Sequence, residues 1–469
     1  MARDSTNTDT HQKALAINLD PDRYGAFAEI GAGQEVSRWF FRVGGAAGTI
    51  AKTVSAYDMK VSDVTYGPAD RYVSRERLVA MLQHEHTHCL DTLAADRGST
   101  TSFFTFADTV AAASYRGTRE CHAWMGVRFQ TSPGAEDSQI VLHVRMLDAN
   151  NVQQQEALGI VGVNLISGAF EYSDSPELLL KSLLDALSSD RIEVDMIEFT
   201  GAAFGAVDNR VMSLLLVQHG LTPTALFDTS GAVLQPSEVL YKTPVLVQPG
   251  RFRPPTLVSA EIQSNALSRF REEADVGDAP VVSMLGMTLE GLSVDGKIDV
   301  HDFLDRIDVL AAGEFTVLIS KYVEYFRIAE YVSRYTSEPI GIALGVKNLA
   351  SIFEAHHYDD LEGGVLEALG RLLKRQVKLF VYPTLEPESG ELITAHDFDP
   401  TSGPGMIRRY LLDTGRIAAI ETFDHKHLSI RSKDVLDKLR AGDPSWEEMV
   451  PPRIADAIKK KKLFGYHSS

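Results

Sequence analysis

Short apolar runs alternate with helical periodicities along most of this chain. The alternation is most regular in the carboxy-terminal part: VVSMLGM (281–287), a helical pattern from His301 to Leu310, TVLIS (316–320), a helical pattern from Glu324 to Tyr335, IGIALG (340–345), two more helical stretches and VKLFVYP (377–383). Strands apolar on both faces, separated by amphipathic helices, predict a parallel sheet covered by helices, with ligand chemistry at the carboxyl ends of its strands. Upstream, ALAINL (14–19), CHAWMGVRF (121–129), IVLHVRML (140–147) and IEVDMIEF (192–199) have strand character. The turn residues TSPGAEDS (131–138) between two of these runs predict a hairpin, and so a mixed rather than purely parallel sheet. The strongest helical pattern, Ser74 to Leu93, repeats Leu78, Leu82, Cys89 and Leu93 on one face and ends in the polar segment 96–100.

The segment QPGRFRPP (248–255) carries two adjacent prolines, which remove amide donors and force extended backbone, so a linker is expected there. A helix from Leu257 to Phe270 and the polar joint EEADVGDAP (272–280) follow. The expected organisation is a flexible tail over 1–13, a larger mixed α/β (α+β) domain over 14–255, a bridging helix and linker over 256–279, and a parallel-sheet α/β domain over 280–469. The length of 469 residues fits two or three cores.

Charge narrows the classes of partner. With 46 Lys and Arg against 64 Asp and Glu, the net charge of −18 excludes long-range attraction to nucleic acid or an anionic membrane, while leaving room for a local phosphate pocket. The run Lys459 to Lys462 falls in an amphipathic pattern and reads as a solvated helix face. Two cysteines, Cys89 and Cys121, form neither a disulfide framework nor a Cys-rich zinc module. The polar start MARDSTNTDTHQK has no apolar signal core, and the run Leu158 to Phe170 is too short to span a bilayer, so a reducing cytoplasm is the expected location.

Leu428 to Tyr466 carries a spaced set of residues: Ser429, Ser432 and Val435, then Gly442, then Met449, Val450 and Pro451, and finally Leu463 and Phe464. In order and spacing it resembles the closing segment of nicotinate-nucleotide adenylyltransferases. The whole chain also resembles a bacterial family carrying that kind of label. The resemblance implies a Rossmann-like fold for 280–469 and a place in NAD metabolism. It further implies a pyridine or adenine nucleotide, or another small phosphorylated molecule, as ligand, with Mg²⁺ bridging the phosphates during adenylyl transfer. Ser429, Arg431, Ser432 and Lys433 would lie at the nucleotide, with Ser432 capping its helix. The family's triphosphate-gripping Arg falls on Leu436. Its His-x-Gly-His motif, which follows the first strand, falls on 298–301, where Ile298 and Val300 stand and His301 alone is retained as the candidate catalytic residue.

Two other readings come from the residues themselves. His84, Glu85 and His88 form H-E-x-x-H on a helix, a spacing that puts two imidazoles on one face for Zn²⁺ with the Glu activating water; Glu120 and His122 are candidate further ligands. A zinc-dependent hydrolase is the corresponding function. The Gly-rich stretch from Gly31 to Thr53, with Arg38, Arg42 and Lys52, matches neither a dinucleotide fingerprint nor a Walker pattern and reads as a tight turn before a packed helix. VDGKIDVHDF (294–303) echoes a calcium loop but has Gly291 at its first position, which excludes that role. Polar groups at His143, Arg145, Asp148 and Gln154, and at Asp208, Asn209 and Arg210, follow strand-like runs, where they serve either a substrate or helix caps. The remaining reading is a non-enzymatic scaffold or regulatory homo-oligomer built on an eroded nucleotide fold.

Overall fold

The computed structural model describes residues 9–31, 34–113, 121–374, 376–386, 389–397 and 405–467. It is of the α/β class and divides into two compact units, Met1–Thr222 and Pro223–Ser469.

The amino-terminal unit is built on one six-stranded sheet. Its strands are β1 (Arg23–Ile30), β2 (Ile50–Val54), β3 (Ser102–Ala111), β4 (His122–Phe129), β5 (Ser138–Met146) and β6 (Ile192–Gly201), in the order β2-β1-β3-β4-β5-β6. β2, β1 and β3 run parallel, whereas β4, β5 and β6 are antiparallel, with the expected hairpin joining β4 to β5. One face is covered by helices Thr10–Asn18, Glu35–Val43 and Asn151–Glu171, the last buried over most of its length. Gly162 permits that packing, because a Cβ there would lie 2.4 Å from Val36 and 3.2 Å from Phe106. The other face carries helix Arg75–Arg97, capped by Ser74 as its sequence pattern predicts, with Leu78 and Leu82 against Gly126 of β4.

The amino terminus departs from expectation. Residues 1–8 lie outside the described set, but Asp9 caps a helix over Thr10–Asn18 where a tail and then a strand were expected. A run of six residues, five of them apolar, cannot distinguish the two periods. Long-range polar contacts settle it: buried Lys13 reaches Asn164 at 2.9 Å and Asp185 at 2.6 Å, and Asn18 donates to the carbonyls of Phe40 and Gly44.

The carboxy-terminal unit contains β7 (Thr224–Phe227), β8 (Val233–Leu234), β9 (Val245–Pro249), β10 (Val282–Thr288), a hairpin of β11 (Ser293–Val294) and β12 (Lys297–Ile298), β13 (Thr316–Ser320), β14 (Ile340–Gly345), β15 (Val377–Tyr382), a hairpin of β16 (Thr384–Leu385) and β17 (Leu392–Ile393), and β18 (Ile417–Ala419). The main sheet has the order β18-β15-β14-β9-β10-β13-β7-β8. β18 to β13 are parallel, and β7 and β8 close one edge antiparallel. Helices Leu257–Arg271, Val300–Ala312, Tyr325–Val332, Gly364–Leu372 and Gly405–Asp413 lie in the connections between parallel strands. After β18 the chain ends in helix Ser432–Ala441, the 3₁₀ turn Pro444–Met449 and helix Pro452–Lys461.

The boundary therefore differs from the sequence expectation. The parallel sheet begins at β9, not after Pro280, and the presumed bridging helix is the crossover from β9 to β10. QPGRFRPP is the turn at the carboxyl end of the first strand; its prolines break pairing there, but they do not separate domains. Because β7 to β9 belong to the second sheet, the amino-terminal unit is the shorter of the two rather than the larger. Among the described residues, no helix is long and apolar enough to cross a membrane.

Candidate functional site

In the carboxy-terminal unit, the connection from β9 crosses to β10 on one side while β14 lies on the other, so the strand order reverses between β9 and β14. Crevices at such reversals, outside the strand carboxyl ends, are where open parallel sheets take ligands. Three chain segments meet around the β9 end. The first is the loop from Gly250 to Pro255. The second is the start of helix Leu257–Arg271, where Thr256 and Ser259 form a reciprocal capping box. The third is the start of helix Ser432–Ala441, whose Ser432 Oγ donates to the Pro254 carbonyl at 2.8 Å. Ser432 thus ties two segments together rather than capping its own helix: the N-cap is Arg431, and no side chain caps the first amides. Arg251, Arg431 and Lys433 are exposed and make no ion pair among the described residues.

The loop itself is held from below. Arg306, buried in helix Val300–Ala312, donates to the carbonyls of Arg251 and Gly291 at 3.0 Å each and pairs with Asp302 at 2.5 Å. Asp302 pairs in turn with Arg253 at 2.5 Å. Burial lowers the Arg306 pKa, and the Asp302 carboxylate opposes that shift.

With the first strand at β9, the segment following it is 250–259 rather than 298–301. Residues 250–259 contain no histidine. His301 instead stands in the first turn of helix Val300–Ala312, after β10; its side chain is 82% exposed and 3.5 Å from Asp305. Ser429 Oγ donates weakly to the Lys426 carbonyl at 3.4 Å. The signal that locates this site in the sequence is the Gly-Pro turn followed by the T-x-x-S cap of an apolar helix. The adjacent Pro254 and Pro255 obscure it, because they are equally compatible with a linker.

Comparison with known proteins adds little to this geometry. No protein-family model and no curated protein matches the chain. Among solved structures, it is similar to a competence/damage inducible protein, CihA, from Agrobacterium tumefaciens (15% identity, 35% of this chain and 97% of the other, TM-score 0.25). A competence-damaged protein (CinA) superfamily member from Enterobacter cloacae matches at 14% identity over 39% of this chain and 96% of the other, TM-score 0.25. A Plasmodium falciparum nicotinic acid mononucleotide adenylyltransferase complexed with APC matches at 12% identity over 48% of this chain and 98% of the other, TM-score 0.30. Likenesses this faint assign the chain to no family.

The H-E-x-x-H helix is formed, but its groups diverge. His84 and His88 are exposed, whereas Glu85 is buried, accepting from Tyr66 Oη at 2.9 Å and pairing with Lys52 at 2.5 Å. Burial and the Glu85 charge push the Tyr66 phenol well up. Glu120 lies outside the described residues, and His122 is engaged with His143. Among the described residues, the one group of potential metal ligands that gathers is the exposed Glu354, His356 and His357. Glu85, Lys52, His88 and Cys89 instead border a cleft of about 190 Å³. The Cys89 thiol is pushed up to about 11 by burial, so it is not a thiolate at neutral pH.

In the Gly-rich stretch, Ala32 and Gly33 lie outside the described residues. Gly31 is a close-approach position, since a Cβ there would fall 2.1 Å from the Val110 carbonyl. Of the stretch's cations, Arg38 pairs with Glu35, Arg42 lies over Trp39 and Lys52 holds Glu85. The polar pairs at strand ends also have structural partners: Gln154 donates to the Asp148 carbonyl, and Asp208 caps helix Asn209–Gln218 while holding Arg210.

Proposed function

We propose that the carboxy-terminal unit binds a nucleotide of the adenylate or pyridine class at the carboxyl ends of β9 and β14, and does so without the imidazole chemistry of an adenylyltransferase. The observation that carries this reading is the bond from Ser432 Oγ to the Pro254 carbonyl. It joins the uncapped amides of a helix start to the loop after the first strand, beside the point where the strand order reverses. Taken alone and renumbered, the six parallel strands follow 3-2-1-4-5-6, the order of a Rossmann fold. Helix amides with Arg251, Arg431 and Lys433 would meet the phosphates, and Mg²⁺ arriving with the nucleotide would offset part of their charge. Thr256 and Ser259 hold each other's backbone, and residues 250–259 contain no histidine, so this segment supplies no imidazole beside a phosphate. Cys89 and Cys121 are in no disulfide among the described residues, which fits a reducing cytoplasm.

Isothermal titration of the full chain with ATP or nicotinate mononucleotide in Mg²⁺ is the test. Saturable binding is expected, weakened about tenfold when Arg431→Ala and Lys433→Ala are combined, equivalent to about 1.4 kcal/mol. ATP and nicotinate mononucleotide together should release no pyrophosphate. Absence of binding by every nucleotide at millimolar concentration removes the reading, and pyrophosphate release would restore catalysis to it.

A further inference from the structure

The antiparallel half of the amino-terminal sheet contains a line of three ionisable groups drawn from three strands. On β5 and β6 the register runs from His143 opposite Met196 to Val144 opposite Val194, a bulge that leaves Asp195 without a strand partner. Bulges re-aim side chains, and here the Asp195 carboxylate meets His143 Nδ1 at 2.5 Å, with both side chains sealed from solvent. The other nitrogen, His143 Nε2, lies 2.9 Å from Nδ1 of His122 on β4. The Trp124 ring, 4.9 Å from that of His143, packs beside the pair.

This geometry dictates the tautomers. A carboxylate at Nδ1 fixes the His143 proton there, so His143 Nε2 is a lone pair and accepts from His122 Nδ1–H. His122 Nε2 is then an unprotonated nitrogen. Among the described residues it has no hydrogen-bond partner, and the His122 side chain is only half-buried. Burial, with the adjoining His143 ring, holds the His122 pKa down to about 4, so the ring is uncharged at neutral pH. The charges of Arg145 and Arg71 act on the same ring. Arg145 is fixed by Glu193 at 2.9 Å, whereas Arg71 is exposed and makes no ion pair among the described residues.

We propose that His122 Nε2 is a phosphoryl-acceptor nucleophile, served by His143 and Asp195 as proton acceptor and anchor and by its cross-strand neighbour Arg145 and by Arg71 as nearby cations, with an acyl phosphate as the donor class. The Nε2 lone pair forms the N–P bond as the bond from phosphorus to the acyl oxygen breaks. The carboxylate departs with that electron pair. The His122 Nδ1 proton passes to His143 Nε2, and the resulting imidazolium is stabilised by Asp195. This site is independent of the nucleotide reading.

The full chain is incubated at neutral pH with acetyl phosphate and, separately, phosphoramidate, and the acid-labile 80 Da adduct (HPO₃, about 80 Da on any phosphorylated residue) is followed by peptide mass spectrometry. His122 should label at least about tenfold faster than His301, which is far more exposed. Asp195→Asn should slow His122 about tenfold while leaving the His301 rate unchanged, and Arg71→Gln should slow it several-fold. Labelling of His122 no faster than His301, or a rate untouched by Asp195→Asn, overturns the proposal. If Asp195→Asn does not fold, the wild-type ratio of His122 to His301 decides alone.

Discussion

Arg306→Met is expected to lower the unfolding free energy of the carboxy-terminal unit by about 3–5 kcal/mol, the cost of breaking a buried ion pair from one side. The side chain is 2% exposed and fully engaged: Nε and Nη2 face Asp302, and Nη1 serves two backbone carbonyls. Methionine fills much of the volume but leaves Asp302 with Arg253 as its remaining cation and strands the carbonyls of Arg251 and Gly291. The Arg251 carbonyl belongs to the loop after β9, so nucleotide affinity should fall with stability. Denaturant unfolding checks the first effect and titration the second. Replacing Asp302 by Leu in the Arg306→Met background should recover part of the loss, because it removes a buried carboxylate left with Arg253 as its single cation. A loss below about 1 kcal/mol would mean that water replaces the guanidinium without penalty.

Asp108→Asn should act in the opposite direction and depend on pH. Asp108 on β3 stands directly opposite Glu29 on β1, and both are buried. Burial raises the Glu29 pKa, and the amides of Val36 and Ser37 at 2.9 and 3.0 Å, in the first turn of helix Glu35–Val43, oppose that shift by favouring its charged form. No side chain among the described residues donates to Asp108, and burial together with the Glu29 charge raises its pKa well above the usual carboxylate value. The proton of the pair therefore rests on Asp108. A carboxyl whose folded pKa is raised stabilises the fold below its unfolded pKa near 4, and that contribution is lost as pH rises toward the folded value. Asn removes the penalty. Relative to wild type, the variant should be nearly neutral near pH 4 and more stable by about 2 kcal/mol near pH 8, read from urea midpoints at the two pH values. A gain that does not grow with pH would show that Asp108 carries no such proton.

The elements most legible in the sequence were those whose apolar runs are bounded on both sides, such as β10, β13, β14 and β15, and the long amphipathic helix behind Ser74. β9 was missed because VLVQP is short and ends in proline, and its pairing with β14 is a long-range contact that no local period reports. That omission displaced the domain boundary and put the segment after the first parallel strand at 298–301 instead of 250–259. The H-E-x-x-H spacing was real, but spacing alone did not reveal that Glu85 is committed to Lys52 and Tyr66. The His122, His143 and Asp195 line was illegible for another reason. Its members come from three strands, and a bulge visible only in the paired register brings the third into place.

The central position of β9 also constrains how the unit is assembled. Val245 lies opposite Val282 on one side and Ile340 on the other, so the first parallel strand to leave the ribosome is completed by a neighbour made much later. Until Ile340 to Gly345 emerges, one edge of the nascent sheet at Val245 to Val247 is bare, an apolar template open to pairing with the wrong chain. Folding of this unit thus waits on a strand made nearly halfway through its synthesis, and crowded translation is the condition under which it is most exposed to misassembly.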